Sequence, residues 1–120
     1  MSSRAQVESA ILQFFEALNS DDASGLPIAE KAKFFGVLSS EPICGESEVR
    51  DHIQQVAPFM LNETIKQMII EGDSGAVRTT FEGVNGVHVD GTYFLKVEDG
   101  KISEIRAVLD TRPLFSGSQT

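Results

Sequence analysis

The stretch AVRTTFEGVNGVHVDGTYFLKV, residues 76–97, decides the fold because its apolar residues recur mainly at every second position. A period of two is typical of β-strands, in which successive side chains point to opposite faces of a sheet. The dipeptide Asn85-Gly86 interrupts the alternation and is a favoured hairpin turn. The stretch therefore predicts two antiparallel strands, Ala76–Val84 and Val87–Val97.

Similar strand patterns lie on both sides of this hairpin. Thr64–Glu71 precedes it across a turn at residues 72–75, and Lys101–Asp110 follows it across a turn at residues 98–100. Nearer the N-terminus, Phe34–Leu38 is predicted as a short strand, and residues 39–45 are predicted as a loop because they contain a proline and a glycine. The second half of the chain is thus predicted to be an antiparallel sheet.

The first half is predicted to contain three helices. An apolar stripe at helical spacing predicts the first over residues 4–18, and Ser3 followed by Gln6 forms a capping-box start. An aspartate at 21 or 22 predicts a short second helix that ends near Gly25 and Pro27. A second apolar stripe predicts the third helix over residues 49–60.

Helices in the first half and consecutive strands in the second half are typical of the α+β class. At 120 residues the chain is expected to form a single domain, 1–120, with an ordered core of about residues 4–115. Strand parity assigns the inward and outward faces. The inward set is predicted as Val77, Thr79, Phe81, Gly83, Val87, Val89, Tyr93, Leu95, Val97, Ile105, Ala107 and Leu109.

Composition excludes several classes of function. A net charge of −8 and a sequence pI near 4.6 argue against nucleic-acid binding, which needs clustered lysine and arginine. No apolar stretch approaches the roughly 18 residues of a membrane span. The single cysteine, Cys44, predicts a reducing compartment, and we expect the protein to be cytoplasmic. With two histidines and one cysteine we expect no metal site and no cofactor.

Three segments carry a family resemblance: Phe14–Asp22 (FFEALNSDD), Gly45 before the third helix, and Asp99–Arg106 (DGKISEIR). Their order and spacing resemble the SnoaL-like branch of the nuclear transport factor 2-like superfamily. The resemblance implies a cone-shaped, curved antiparallel sheet wrapped around the long N-terminal helix, with a cavity that opens at one end. It also implies a homodimer formed through the outer face of the sheet.

Members of this superfamily include isomerases, epoxide hydrolases, cyclases and dehydratases, so the fold alone does not fix a reaction. The positions that carry catalytic groups in ketosteroid isomerases match Phe14, Gly36 and either Tyr93 or Thr92 here. Those of limonene epoxide hydrolases match Gly83, Phe81 and Ala107. Neither catalytic set is therefore expected in this chain, and its catalytic residues are unknown.

The remaining prediction is a largely apolar cavity that binds an uncharged small molecule, with Tyr93 and Thr79 orienting it. Two alternatives stay open: an enzyme of the same fold that works by general acid-base catalysis, and a protein-interaction module. The predicted ligand-binding residues are Phe14, Phe15, Leu18, Phe34, Gly36, Leu38, Phe59, Met60, Thr79, Phe81, Val89, Tyr93, Ile105, Ala107 and Leu109.

Other polar residues have a weaker case. His88 and Asp90 share a strand face, but parity places both outside; His52 on the third helix could lean into the cavity mouth. Phe94 and Val108 are predicted on the outer face among charges of both signs, as a two-fold dimer interface requires.

Overall fold

The computed structural model describes residues 2–37 and 39–113. Helix α1, Arg4–Ser20, begins at the predicted capping box, in which the Ser3 hydroxyl accepts from the Gln6 N–H and the Gln6 side chain accepts from the Ser3 N–H. The other elements follow in chain order. They are β1 (Ile28–Phe35), β2 (Ile43–Cys44), α2 (Glu46–Val56), a 3-10 turn (Ala57–Phe59), β3 (Leu61–Glu71), β4 (Ser74–Glu82), β5 (His88–Glu98) and β6 (Lys101–Leu109).

The six strands form one sheet in the order β2-β1-β6-β5-β4-β3. Strands β3 to β6 form the predicted antiparallel run, each paired with the next. The expectation of a wholly antiparallel sheet is wrong, because β1 pairs in parallel with β6 and antiparallel with β2. The antiparallel run leaves one edge of β6 free, and β1 pairs with β6 along that edge.

The described residues contain two α-helices in the first half, so the prediction of three is wrong. The short second helix is absent because Asp21 adopts a left-handed conformation and its N–H bonds to the Ala17 carbonyl, which closes α1. The segment after it is held by α2 instead. Arg50 donates to the carbonyls of Ala23, Ser24 and Leu26. These bonds satisfy backbone groups that a helix would otherwise have paired internally.

The first strand begins and ends earlier than the predicted Phe34–Leu38. Strand β1 ends at Phe35 rather than at Leu38, which lies outside the described residues. On the inward side of β1, Ala32 and Phe34 are buried. The exposed lysines at positions 31 and 33 obscure this alternation in the sequence. The predicted third helix ends earlier than expected, at Val56, where Pro58 turns the chain into a 3-10 turn.

Strand faces follow the predicted parity on β4 and β5, where Val77, Thr79, Val89, Tyr93 and Val97 are buried. Helix α1 packs across this inner face. At one end of the sheet the approach is close, since a Cβ at position 75 would overlap Ile11 Cδ1. Within the described residues no helix is long and apolar enough to cross a membrane.

Candidate ligand-binding site

A cavity of about 560 Å³ lies between the second half of α1, helix α2 and the inner face of the sheet. Volumes of this size are typical of small-molecule sites. The wall is mostly apolar. Its residues are Phe14, Leu18, Phe34, Gly36, Val37, Ser39, Glu41, Ile43, His52, Ile53, Val56, Phe59, Met60, Phe81, Gly83, Val84, Asn85, Tyr93, Ala107, Leu109 and Thr111.

The structure places most of the predicted ligand-binding residues on this wall. Those that line the cavity are Phe14, Leu18, Phe34, Gly36, Phe59, Met60, Phe81, Tyr93, Ala107 and Leu109. Four others, Phe15, Thr79, Val89 and Ile105, are buried in the protein but do not line the cavity. Phe15 lies on the buried face of α1 and the other three lie on the inner face of the sheet, but none of the four lines the cavity. The prediction for Leu38 lies outside the described residues.

Exposed apolar side chains occur among the residues that line the cavity. Val37, Phe59 and Val84 are 41%, 62% and 69% exposed. The 3-10 turn carries Phe59, and the β4–β5 turn region carries Val84. Contact between apolar surface and water is unfavourable, so an apolar molecule that covers these side chains is expected to lower the free energy of the complex.

His52 is the only histidine on the cavity wall among the described residues. Its ring packs edge-to-face on Phe34, with the ring centroids 4.7 Å apart. Burial lowers the pKa of His52 from its ordinary value, because the charged imidazolium loses water. A neutral imidazole offers one donor and one acceptor to a molecule in the cavity. The sequence prediction that His52 leans toward the cavity is therefore supported by its position.

Tyr93, the single tyrosine of the chain, is 1% exposed and lies on the cavity wall. Its ring packs edge-to-face against Phe14 and Phe15, with centroid distances of 5.6 and 5.2 Å. Such aromatic contacts stabilise the ring beyond the burial of its area. The ring is thus fixed in one position at the inner wall, and the hydroxyl group at its end is buried without a hydrogen-bond partner of good geometry.

Glu63, on β3, is a buried carboxylic acid that sequence analysis missed. Its side chain is 5% exposed, and its Oε1 accepts a hydrogen bond of 2.6 Å from the Thr79 hydroxyl. Its Oε2 is buried without a partner, as is the Tyr93 hydroxyl. Among the described residues no lysine, arginine or histidine pairs with Glu63. A buried acid without a cation is costly to ionise.

Local backbone structure explains why Glu63 points inward. The register of β3 against β4 shifts between Leu61 and Thr64, and Asn62 has a positive φ of 54°. Asn19, near the end of α1, donates to the Glu63 carbonyl at 2.9 Å and accepts from the Glu63 N–H at 2.8 Å. A bulge of this kind turns a side chain toward the other face of a sheet. The sequence signal was weak, since the predicted strand began only at Thr64.

The environment of Glu63 changes its proton affinity. Burial raises the pKa of Glu63 from 4.5 to about 7, and the hydrogen bond from the Thr79 hydroxyl offsets part of that rise. The pKa of Tyr93 also rises, because the phenol is buried and faces the Glu63 carboxyl. The phenol and the carboxyl are therefore neighbours that influence each other, although their oxygens do not form a hydrogen bond of good geometry. Near neutral pH, Glu63 exchanges between its neutral and its charged form.

The other polar candidates lie away from the cavity. His88 and Asp90 are exposed on the outer side of β5, and Cys44 is an exposed free cysteine. Asp110 forms a bidentate contact of 2.8 Å with Arg112, which holds the pKa of Asp110 at about 2. Among the described residues no cluster of three His, Cys, Asp or Glu side chains could hold a metal ion.

A family model described as a SnoaL-like domain matches residues 11–105. No curated protein matches the sequence. Solved structures with the same fold share low sequence identity with this chain. A steroid delta-isomerase from Pseudomonas aeruginosa is 16% identical, with a TM-score of 0.78 over 91% of this chain and 82% of that one.

A putative SnoaL-like polyketide cyclase from Jannaschia is 15% identical, with a TM-score of 0.78 over 95% of this chain and 93% of that one. A nuclear transport factor 2-like protein of unknown function from Mesorhizobium loti is 19% identical, with a TM-score of 0.78 over 92% and 96%. At these identities the likeness concerns the fold alone.

Proposed function

The chain belongs to the family of SnoaL-like domains with the nuclear transport factor 2-like fold, and on this premise we propose that it binds an uncharged, largely apolar small molecule. The observation that carries the proposal is the cavity of about 560 Å³ at the open end of the sheet. Its wall is mainly aromatic and aliphatic, and a wall of this kind favours ligands with little charge.

The packing of the chain supports this proposal. Gly36 and Ala107 are small residues on a wall that also carries the rings of Phe14 and Phe81, and their small size leaves the volume open. A core that served stability alone would be filled to the density of an organic crystal, because empty volume forfeits dispersion contacts. The cavity therefore costs stability, and the binding of a ligand would recover that loss.

Titration with an uncharged naphthylamine fluorophore, N-phenyl-naphthylamine, tests the proposal. We expect saturable binding with one site per chain and enhanced emission, since the fluorophore moves from water into an apolar cavity. The chain has no tryptophan and one tyrosine, so tyrosine fluorescence reports directly on the cavity wall. A native mass spectrum of protein purified without heat or solvent would show a retained ligand as added mass. Absence of both saturable binding and added mass would contradict the proposal.

A second candidate function is general acid-base catalysis on a molecule held in the same cavity. The observation that favours it is His52, whose imidazole lies on the wall and whose pKa is lowered, so that the neutral form predominates near pH 7. Turnover of a bound compound that is lost in His52→Gln, with the affinity for that compound unchanged, would support catalysis. Equal turnover in the variant would exclude His52 from it.

We also propose that two copies associate through the outer face of the sheet. Phe94 and Val108 are 46% and 54% exposed there. Arg78, Glu104 and Arg106 supply both signs of charge around them, as a self-complementary two-fold interface requires. Sedimentation at micromolar concentration should report a dimer that Val108→Glu converts to monomer, and a wild-type monomer of 13.1 kDa would contradict the proposal.

A cytoplasmic location is proposed on chemical grounds. Cys44 is exposed and free in the described structure. An exposed thiol persists in a reducing compartment and is oxidised elsewhere. Fractionation of cells that produce the protein would test the location.

A further inference from the structure

The polar side chains of the cavity wall lie where the wall meets solvent. Among the described residues, the buried part of the wall is aliphatic, aromatic or glycine, and its one polar side-chain atom, the Tyr93 hydroxyl, is itself buried. The other polar residues of the wall are exposed or half-buried, and they are Ser39, Glu41, His52, Asn85 and Thr111. We call this group the polar mouth. Side-chain hydrogen bonds to a ligand are therefore available at the polar mouth and not deeper in the cavity.

Two members of the polar mouth, Glu41 and His52, lie on the same side of the cavity. The His52 ring packs edge-to-face on Phe34, with the ring centroids 4.7 Å apart. Phe34 on β1 pairs with Ile43 on β2, and Glu41 precedes Ile43 by two positions in the chain. Helix α2 therefore brings its imidazole to the part of the wall that β1 and β2 form, where the loop before β2 carries the Glu41 carboxylate.

The hydrogen-bonding capacity of this side is mainly that of an acceptor. A carboxylate only accepts hydrogen bonds, and a neutral imidazole accepts at one nitrogen and donates at the other. Within residues 2–37 and 39–113, neither the Glu41 carboxylate nor the His52 ring has a hydrogen-bond or ion-pair partner. No lysine or arginine lines the described part of the wall, so Glu41 supplies its only full charge. This side of the mouth therefore favours a ligand group that donates a hydrogen bond.

We propose that the cavity takes an apolar alcohol, which enters with its apolar end first and donates a hydrogen bond from its hydroxyl group to Glu41, with His52 as the second partner of that hydroxyl. The proposal rests on the proposed function, ligand binding in the cavity, and names the chemical class and the orientation of the ligand. The apolar end gains most when it is buried among the aromatic and aliphatic side chains. The hydroxyl group would lose its hydrogen bonds there, so it stays at the polar mouth.

Other polar end groups fit this side of the mouth less well. An ether or a ketone has no hydrogen to donate to Glu41. A carboxylate brings a second negative charge next to Glu41 and meets no cation on the described wall. An ammonium group could donate, but the exposed apolar side chains of Val37, Phe59 and Val84 share the mouth, and a full charge loses water against them. A hydroxyl group is both a donor and uncharged.

Four probes with similar apolar bodies test the end group. They are phenylhexanol, its isomer phenylpentyl methyl ether, phenylhexanoate and phenylhexylamine, and displacement of N-phenyl-naphthylamine at neutral pH measures the Kd of each. We expect wild type to bind the alcohol about fivefold more tightly than the ether, a ratio in the range of one hydrogen bond. Phenylhexanoate should bind at least about tenfold more weakly than the alcohol, and phenylhexylamine should not bind more tightly than the alcohol.

Two variants at position 41 separate the acceptor from the charge. Glu41→Met keeps the length of the side chain and removes the acceptor, so the preference for the alcohol over the ether should fall below about twofold. Glu41→Gln keeps an acceptor and removes the charge. It should retain the preference for the alcohol and bind phenylhexanoate about threefold more tightly than wild type at low ionic strength. Glu48→Gln, an exposed position of α2 that does not line the cavity, is the matched control and should match wild type with every probe.

The orientation of the bound alcohol is measured by nuclear Overhauser contacts. The methylene group next to the hydroxyl should contact the ring protons of His52, and the phenyl ring should contact the methyl groups of Leu18, which is a buried residue of the wall. His52→Phe keeps a ring to pack on Phe34 and removes both nitrogens. It should weaken the alcohol about threefold and leave the ether unchanged.

The outcomes distinguish this inference from the function on which it rests. If N-phenyl-naphthylamine does not bind, ligand binding in the cavity fails and the inference fails with it. If the fluorophore binds, the inference alone is overturned by any of three results: an ether, carboxylate or amine that binds as tightly as the alcohol, an unchanged preference for the alcohol in Glu41→Met, or the reversed set of Overhauser contacts. Circular dichroism and the melting temperature of each variant confirm that it is folded.

Discussion

The two ends of helix α1 meet the same sheet in different ways. In the N-terminal half of the helix, Ile11 is fully buried and so close to Gly75 that no Cβ fits at position 75. The Ser2 hydroxyl accepts from the Gly100 N–H at 2.9 Å and so ties the chain start to the β5–β6 turn. At this end, the closed end, the helix packs directly on the sheet, and neither Ile11 nor Gly75 lines the cavity of about 560 Å³.

At the other end, the open end, the same helix presents Phe14 and Leu18 to a cavity of about 560 Å³. The two ends differ in what lies next to their small residues. At the closed end the side chain of Ile11 packs against Gly75, whereas at the open end Ala107 and Gly36 border the cavity. Small residues therefore have opposite consequences at the two ends. At one end they permit contact, and at the other they leave space.

The largest effect should come from truncating the closed end. Ile11→Ala is expected to lower the free energy of unfolding by about 3 kcal/mol, because it removes buried methyl groups and leaves a void that tight packing cannot collapse. Met60→Ala, at the half-buried cavity wall, is the matched control and should cost about 1 kcal/mol. Urea denaturation measures both values. Equal losses would show that the two ends are packed alike.

A smaller effect is expected at Glu63, the one buried acid among the described residues. Burial raises the pKa of Glu63 from 4.5 to about 7, so at a pH between these two values the folded protein holds a proton that the unfolded chain has lost. The contribution of Glu63 to the free energy of unfolding of wild type therefore falls as the pH rises from about 4.5 to about 7. Above neutrality the ionised carboxyl costs about 2 to 3 kcal/mol. Glu63→Gln should therefore be more stable than wild type at about pH 8 by that order.

The gain of Glu63→Gln should shrink toward zero as the pH approaches about 4.5, where both the folded and the unfolded wild type hold the proton. Denaturation series at several pH values for the two proteins measure the difference. A difference that is independent of pH would mean that Glu63 has an ordinary pKa in the folded protein.

The smallest effect on stability should come from filling the open end. Ala107 is 9% exposed and lies on the cavity wall beside Tyr93 across the strand pair. Ala107→Leu is expected to change the free energy of unfolding by less than about 1 kcal/mol, since the added methyl groups enter empty space and bury apolar area. The same change should weaken naphthylamine binding more than about tenfold. A large loss of stability would show that the space is not available.

Much of the fold could be predicted from local patterns. The capping box and apolar stripe of α1 gave its start and its buried face, and alternation gave β3 to β6 and their order. The errors occur where a non-local contact overrides local propensity. Asp21 reads as a helix start, yet it closes α1 in a left-handed conformation, and the bonds from Arg50 hold the segment that follows.

The candidate site was predictable only in part. Residues such as Phe14, Phe81 and Ala107 could be assigned to the cavity side from periodicity, because parity determines the face of a strand. Parity does not determine whether an inward side chain borders the cavity or is packed in the core. Thr79 and Val89 are therefore predicted at the cavity, but both are buried and neither lines it. Glu63 was missed because a bulge changes parity, and a bulge is formed by two strands together.

The sequence by itself determined the order of the elements, the inner and outer faces of the hairpin strands, and the acidic character of the surface, since each depends on residues near one another in the chain. The tertiary structure decided the parallel pairing of β1 with β6, the volume left at the open end, and the meeting of Glu63, Thr79 and Tyr93. These three features depend on distances between distant segments, and such distances are fixed only when the whole chain packs.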